Sequence, residues 1–217
     1  MRMSHVARSD QKGATGKTQV ALGFRTHSGW SAVVAVTHSA DGIDVIDRRR
    51  IELADPEIPG SLQPYHAAEE MDAKRAEAYV SRCIKSTRSL AGQALKTLIA
   101  DLRVNGHTVV GCGILLAAGK PLPGLASILA SHALIHTAEG ELYRDAIMQA
   151  SKSLKIPVTA IKERDLFDQG AAQLRLSADI LQQRINEIGR AIGPPWRQDH
   201  KYAAVVAWLS LKSTSAR

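Results

Sequence analysis

Residues 19–51 read QVALGFRTHSGWSAVVAVTHSADGIDVIDRRRI, and their alternation decides the fold. Val20, Leu22 and Phe24 alternate with Gln19, Ala21 and Gly23, Ser28-Gly29 offers a turn, and the Val- and Ala-rich run from Trp30 to Thr37 suits a well-buried strand. Asp41-Gly42 is a second turn signal. Ile43, Val45 and Ile51 then mark a third, more exposed strand that carries Arg48, Arg49 and Arg50. Two successive hairpins place these three strands side by side.

Working outward, residues 54–65 contain Pro56, Pro59, Gly60 and Pro64 and read as a loop. Val80, Ile84, Thr87, Ala91, Ala94, Leu98 and Leu102 form one helical stripe that Asn105-Gly106 terminates. Residues 109–116 are continuously apolar, as in a central strand covered on both faces. Residues 125–154 read as helix with a break expected near Thr137 to Gly140, residues 156–161 as a short strand, and residues 165–192 as one helix ending before Gly193-Pro194-Pro195. A last helix over 199–211 is strongly apolar and is expected to pack deep. Hairpin strands are neighbours and helical crossovers give parallel right-handed units. The expected fold class is therefore α/β, a mixed five-stranded sheet of order 3-2-1-4-5 with helices on both faces.

The 217 residues, 45% hydrophobic and 23% charged, carry ample material for a core and exclude disorder as the overall state. Residues 1–18 read as a disordered basic leader, 19–211 as a single domain and 212–217 as a flexible tail. With no apolar run of membrane-spanning length and no secretory pattern at the start, a cytoplasmic protein without membrane association is expected. Cys83 and Cys112 have neither disulfide nor metal-ligand spacing. The net charge of +7 concentrates at the ends: residues 1–25 hold five basic and one acidic side chain, and residues 151–217 hold eleven and six. That distribution favours a phosphate-bearing partner. Gly13-Ala14-Thr15-Gly16-Lys17-Thr18 is not a phosphate-binding loop, because Gln11 stands where its first glycine belongs and a strand follows instead of a helix.

The strand order, together with residues 23–32 (GFRTHSGWSA) and the closing helix that opens Asp199-His200-Lys201-Tyr202-Ala203-Ala204-Val205, resembles the ribonuclease H-like superfamily, specifically its RuvC-type resolvase branch. In that family, carboxylates from the first strand, the end of the fourth strand and the last helix hold two divalent metal ions that drive phosphodiester cleavage. Here Arg25 falls on the first-strand acid, the fourth strand runs into Ala117-Ala118-Gly119-Lys120, and only Asp199 matches. The resemblance thus implies a divergent member acting in nucleic-acid transactions. Cleavage is expected only through a non-standard acid set of Glu139, Glu163 and Asp199, holding Mg²⁺ or Mn²⁺. Asp165, a candidate helix cap, and Glu141 are further acids near these positions.

Two other readings stand beside it. A catalytically silent domain would bind nucleic acid or a protein partner through Arg25, Arg48, Arg49, Arg50, Trp196 and Arg197, although for Trp196 the favoured reading is a staple of the last helix to the core. Alternatively, His132, His136 and Glu139, spaced i, i+4 and i+7, share one face of a continuous helix. With Asp199 as a further ligand they would hold zinc or iron in a metal-dependent small-molecule hydrolase.

Overall fold

The computed structural model of the chain describes residues 17–117 and 121–215. Five strands form one sheet, β1 (Thr18–His27), β2 (Trp30–Ser39), β3 (Gly42–Glu52), β4 (His107–Leu116) and β5 (Val158–Lys162), in the order β3-β2-β1-β4-β5. The first three are antiparallel, joined by turns in which Gly29 (φ +82°) and Gly42 (φ +131°) take the left-handed backbone that a tight hairpin requires. β4 and β5 run parallel to β1, each reached through helices. The helices are α1 (Pro64–Ala68), α2 (Ala73–Val104), α3 (Leu125–Leu129), α4 (His132–Ser153), α5 (Leu166–Leu174), α6 (Ala178–Ile192) and α7 (Gln198–Ser215), with a single 3₁₀ turn at Glu163–Asp165. Among the described residues no helix is long and apolar enough to cross a membrane.

Period-two alternation divides β1 between two cores. Val20, Leu22 and Phe24 join a cluster with α2 and α4, while Ala21 joins one with α5, α6 and α7. On the second face α7 lies directly against the sheet, with residues 203–209 all buried. Glycines permit this approach. A Cβ on Gly23 would stand 1.8 Å from the Ala203 carbonyl oxygen, and one on Gly113 2.2 Å from that of Val206. Gly23 and Arg25 share this face, so the strand that brings α7 close also aims Arg25 at the start of α7.

Several local features differ from the expectations. Pro64, read as part of a loop, sits at the start of α1, where its missing N–H costs nothing. The break expected near Thr137 lies instead at Ala130–Ser131; α4 runs through Thr137, whose hydroxyl donates to the Ala133 carbonyl, and through Gly140. The helix expected over 165–192 is two. Arg175, left-handed at φ 56°, closes α5, and Ser177 restarts the chain as α6 by accepting from the Ile180 N–H. Thr18, assigned to the leader, belongs to β1, and α7 continues to Ser215, so most of the expected tail is helical. Residues 1–16 of the leader and residues 118–120 lie outside the described residues.

Candidate functional site

The carboxyl end of β1, the turn after β5 and the first turn of α7 meet at Arg25. Its Nε and Nη2 donate to the two carboxylate oxygens of Glu163 at 3.3 and 2.8 Å, and its Nη1 donates to Asp199 Oδ1 at 2.7 Å. His27 Nε2 reaches the same Asp199 oxygen at 2.8 Å. The Tyr202 ring, one turn beyond Asp199, lies with its centroid 4.7 Å from the guanidinium carbon. The Arg25 side chain is only 15% exposed. Burial lowers the tendency of Arg25 to hold its proton, but Glu163 and Asp199 outweigh that and raise its pKa above the ordinary value. Burial likewise pushes the Asp199 carboxyl up, yet His27 and Arg25 together hold it below the usual carboxylate range. The start of α7 favours that anion as well.

Next to this cluster, Trp30, Ala32, Arg48, Arg49, Arg50, Pro195, Arg197, Asp199 and His200 line a cleft of about 360 Å³. Arg49 is paired with Asp47 and Asp101, and Arg50 with Glu52 while stacking over Trp30 at 4.1 Å. Arg48 is different: it donates to the carbonyls of Ile192, Gly193 and Pro194 and so clamps the linker before α7. Among the described residues neither Arg48 nor Arg197 has a carboxylate partner, so neither charge is neutralised by an anion, although the Nη groups of Arg48 are committed to the linker carbonyls. His200 Nδ1 accepts from the Arg197 N–H, which leaves Nε2–H as the ring's donor. Burial first, then the nearby Arg48 charge, lowers the His200 pKa. Trp196 does not line this cleft. Its indole donates to the Ile185 carbonyl at 2.9 Å and its ring covers Gly189, so it fastens the linker to α6 and is not a free stacking surface.

On the other face of the sheet, unbroken α4 keeps His132 and His136 one turn apart, with their Nε2 atoms 3.1 Å from each other. Glu139 does not join them as expected. It is 1% exposed and accepts from the backbone N–H of His66 at 3.2 Å, and its Oε1 lies 2.8 Å from His66 Nδ1. The third ring in the group is therefore His66 of α1, whose centroid lies 5.1 and 4.7 Å from those of His132 and His136. Of the candidate acids, Glu163 and Asp199 come together while Glu139 is held in the histidine group. Asp199, suggested as an added ligand for the histidines, is bound to Arg25 and His27 instead. Asp165 pairs with Arg164 and makes no cap, and Glu141 pairs with Arg144.

Three contacts went unread in the sequence. His27 follows Arg25 by two residues and so shares its face of β1, and Tyr202 follows Asp199 by one helical turn; both signals are local. His66 carries no local signal, since it lies 66 residues before His132. Neither cysteine supplies a nucleophile. Burial raises both thiols, that of Cys112 to about 12.

No protein-family model matches the chain, and no curated protein sequence does. Among solved structures the chain is similar to T. thermophilus RuvC in complex with Holliday junction substrate. The TM-score is 0.51 at 10% identity, covering 88% of this chain and 90% of that one. The fold is ribonuclease H-like. A second structure, of Thermus thermophilus RuvC, aligns with a TM-score of 0.47 at 12% identity over 87% of this chain and 91% of that one.

The ribonuclease H-like sheet brings β1, β4 and α7 to one end, which is where the resemblance places divalent metal ions. The residues present do not fit that pair of ions. Two ions about 4 Å apart need free carboxylate oxygens to bridge and flank them. Here both Glu163 oxygens and Asp199 Oδ1 are bound by the Arg25 guanidinium, which fills the centre of the acid cluster with a fixed cation.

Proposed function

We propose that this ribonuclease H-like domain binds the phosphate backbone of nucleic acid in the arginine-lined cleft, and that its acid site is a closed structural cluster, not a nuclease centre. The observation that carries the reading is the convergence on one cleft of Arg48, Arg49, Arg50 and Arg197, brought from β3 and from the linker before α7. Arg48 and Arg197 offer unpaired charge, His200 adds a neutral donor, and Trp30 supplies an aromatic wall. The similarity to RuvC held with Holliday junction substrate supports a branched or double-stranded ligand, and a basic pI of 9.6 agrees with it.

Binding of labelled branched, double- and single-stranded DNA across a salt series tests the proposal. Affinity is expected to fall steeply with salt, and each lost phosphate contact to reduce the logarithmic slope by about 0.9. Arg197→Ala is expected to lower affinity without changing fold, because Arg197 makes no ion pair within the chain. Salt-independent or undetectable association would overturn the reading. A Mn²⁺-dependent nuclease assay probes the other half: cleavage by wild type that disappears in Asp199→Asn and in Glu163→Gln would show that the acid cluster is catalytic after all.

A further inference from the structure

The structure assigns a transition-metal site to His66, His132 and His136, with Zn²⁺ as the ion and Glu139 as the positioning residue. Each ring offers one nitrogen, and those atoms lie within 4.8 Å of one another. The 3.1 Å between His132 and His136 Nε2 is close to the roughly 3.3 Å that separates two nitrogens bound tetrahedrally to one zinc at about 2.0–2.1 Å. With His66 Nδ1 turned toward Glu139, the nitrogen left for the metal is Nε2. A carboxylate that holds the far nitrogen of a ligating imidazole fixes its tautomer and orientation, and Glu139 is placed to do this.

The chemistry of the donors selects the ion. Three neutral imidazoles suit zinc and its borderline neighbours, whereas Mg²⁺ and Ca²⁺ require oxygen. Glu139 supplies an independent sign. It is a buried carboxylate whose ion-pair partner among the described residues is a histidine, and a buried anion is costly unless a cation compensates it. A metal on His66 Nε2 delivers that charge through the ring. His132 and His136 are exposed and His66 half-buried, so the ion would sit at the surface, with a fourth position open to water. It would also add a link between the five-residue α1 and the start of α4, which already meet through Glu139 and through Tyr65 and Ala68 in the shared core.

Direct zinc titration of the full chain, with Co²⁺ as a spectroscopic substitute and no nucleic acid present, tests the assignment. One equivalent of Zn²⁺ is expected, with visible bands of tetrahedral Co²⁺. At a hundredfold excess over Kd, zinc is expected to raise Tm by about 5–10 °C. His66→Ala and His136→Ala are each expected to weaken zinc by about 100-fold, and Glu139→Gln by about 10- to 100-fold. His136 is exposed, so His136→Ala keeps the fold and leaves the chelator-treated Tm unchanged. Zinc affinity unaltered by His66→Ala would reduce the site to a surface histidine pair and overturn the inference, as would the absence of saturable binding in wild type. Because DNA plays no part in the measurement, neither outcome bears on the cleft.

Discussion

The two charged clusters of this molecule solve opposite problems with the same residue types. At the end of β1, two carboxylates face a cation that the chain itself provides, and both Glu163 oxygens and Asp199 Oδ1 are held by Arg25 or His27. At the start of α4 the chain buries one carboxylate and turns three imidazoles toward each other, leaving ring nitrogens as donors to an ion. The first cluster is complete without a ligand, and the second is complete only with one. Carboxylates alone therefore do not identify a metal site; what matters is whether a fixed positive charge already occupies their focus.

The largest expected effect comes from the packing that forms the first cluster. Gly23→Val would drive a side chain into the Ala203 carbonyl, a contact that backbone cannot relieve by rotation, and α7 would have to leave the sheet. A loss of more than about 3 kcal/mol is expected, enough to leave little folded protein in a denaturant titration. The histidine cluster lies on the other face. Should the variant melt in two phases, with zinc raising only the second, the two clusters belong to separable units.

Next in size is Arg25→Asp, which sets a third carboxylate beside Glu163 and Asp199 and removes their cation. In chelator at pH 7 this should cost about 3 kcal/mol. Millimolar Mn²⁺ or Mg²⁺ should recover much of it, because three close carboxylates then form an oxygen site for a hard ion. Wild type should show no such stabilisation. A wild-type melting temperature that rises with Mg²⁺, an ion the imidazoles do not take, would mean that Arg25 yields its place to metal.

Legibility in the sequence followed the same division. Sheet order came through because turns at Ser28-Gly29 and Asp41-Gly42 and the apolar run of β4 are local signals, each spelled in a few neighbouring residues. The pairing of His132 with His136 was legible for the same reason. Helix periodicity could not show that Arg175 adopts a left-handed backbone between two good helical stripes, nor that Pro64 begins a helix inside a Pro-rich loop. His66 and Glu163 were hardest, since their partners lie 73 and 138 residues away, and only the topology brings them together. Arg25 was read as a missing acid and as a candidate contact to nucleic acid; in the fold its guanidinium is committed to Glu163 and Asp199, and it is the group around which the acids assemble.

A smaller effect separates the clusters by pH. Asp199 titrates below its unfolded value of about 3.9 because His27 and Arg25 stabilise its anion. A depressed carboxylate contributes stability that is fully present above the unfolded pKa and lost as pH falls through the folded one. Asp199→Asn should therefore cost about 1–2 kcal/mol between pH 5 and 7, and the gap from wild type should begin to narrow below about pH 4 and close as pH falls through the folded pKa. Urea melts at pH 6 and pH 3 measure this directly. A gap that stays constant with pH would mean that Asp199 acts through its shape and hydrogen bonds alone, and not through its charge.

The smallest effect concerns the helix that carries the histidines. Gly140 was expected to interrupt α4, yet the helix passes through it without a break. A Cβ there would meet the Arg144 guanidinium at 2.8 Å, the movable end of a long side chain. Gly140→Ala thus gains about 1 kcal/mol of helix propensity and gives back part of it as Arg144 swings away from Glu141. A net change within about 0.5 kcal/mol is expected, with zinc affinity unmoved, since His132 and His136 sit in turns already closed by their own backbone bonds. A clear loss of zinc affinity would show that the register of the imidazoles depends on a pliant glycine, and the histidine cluster would then be a jointed site where the arginine-filled one is rigid.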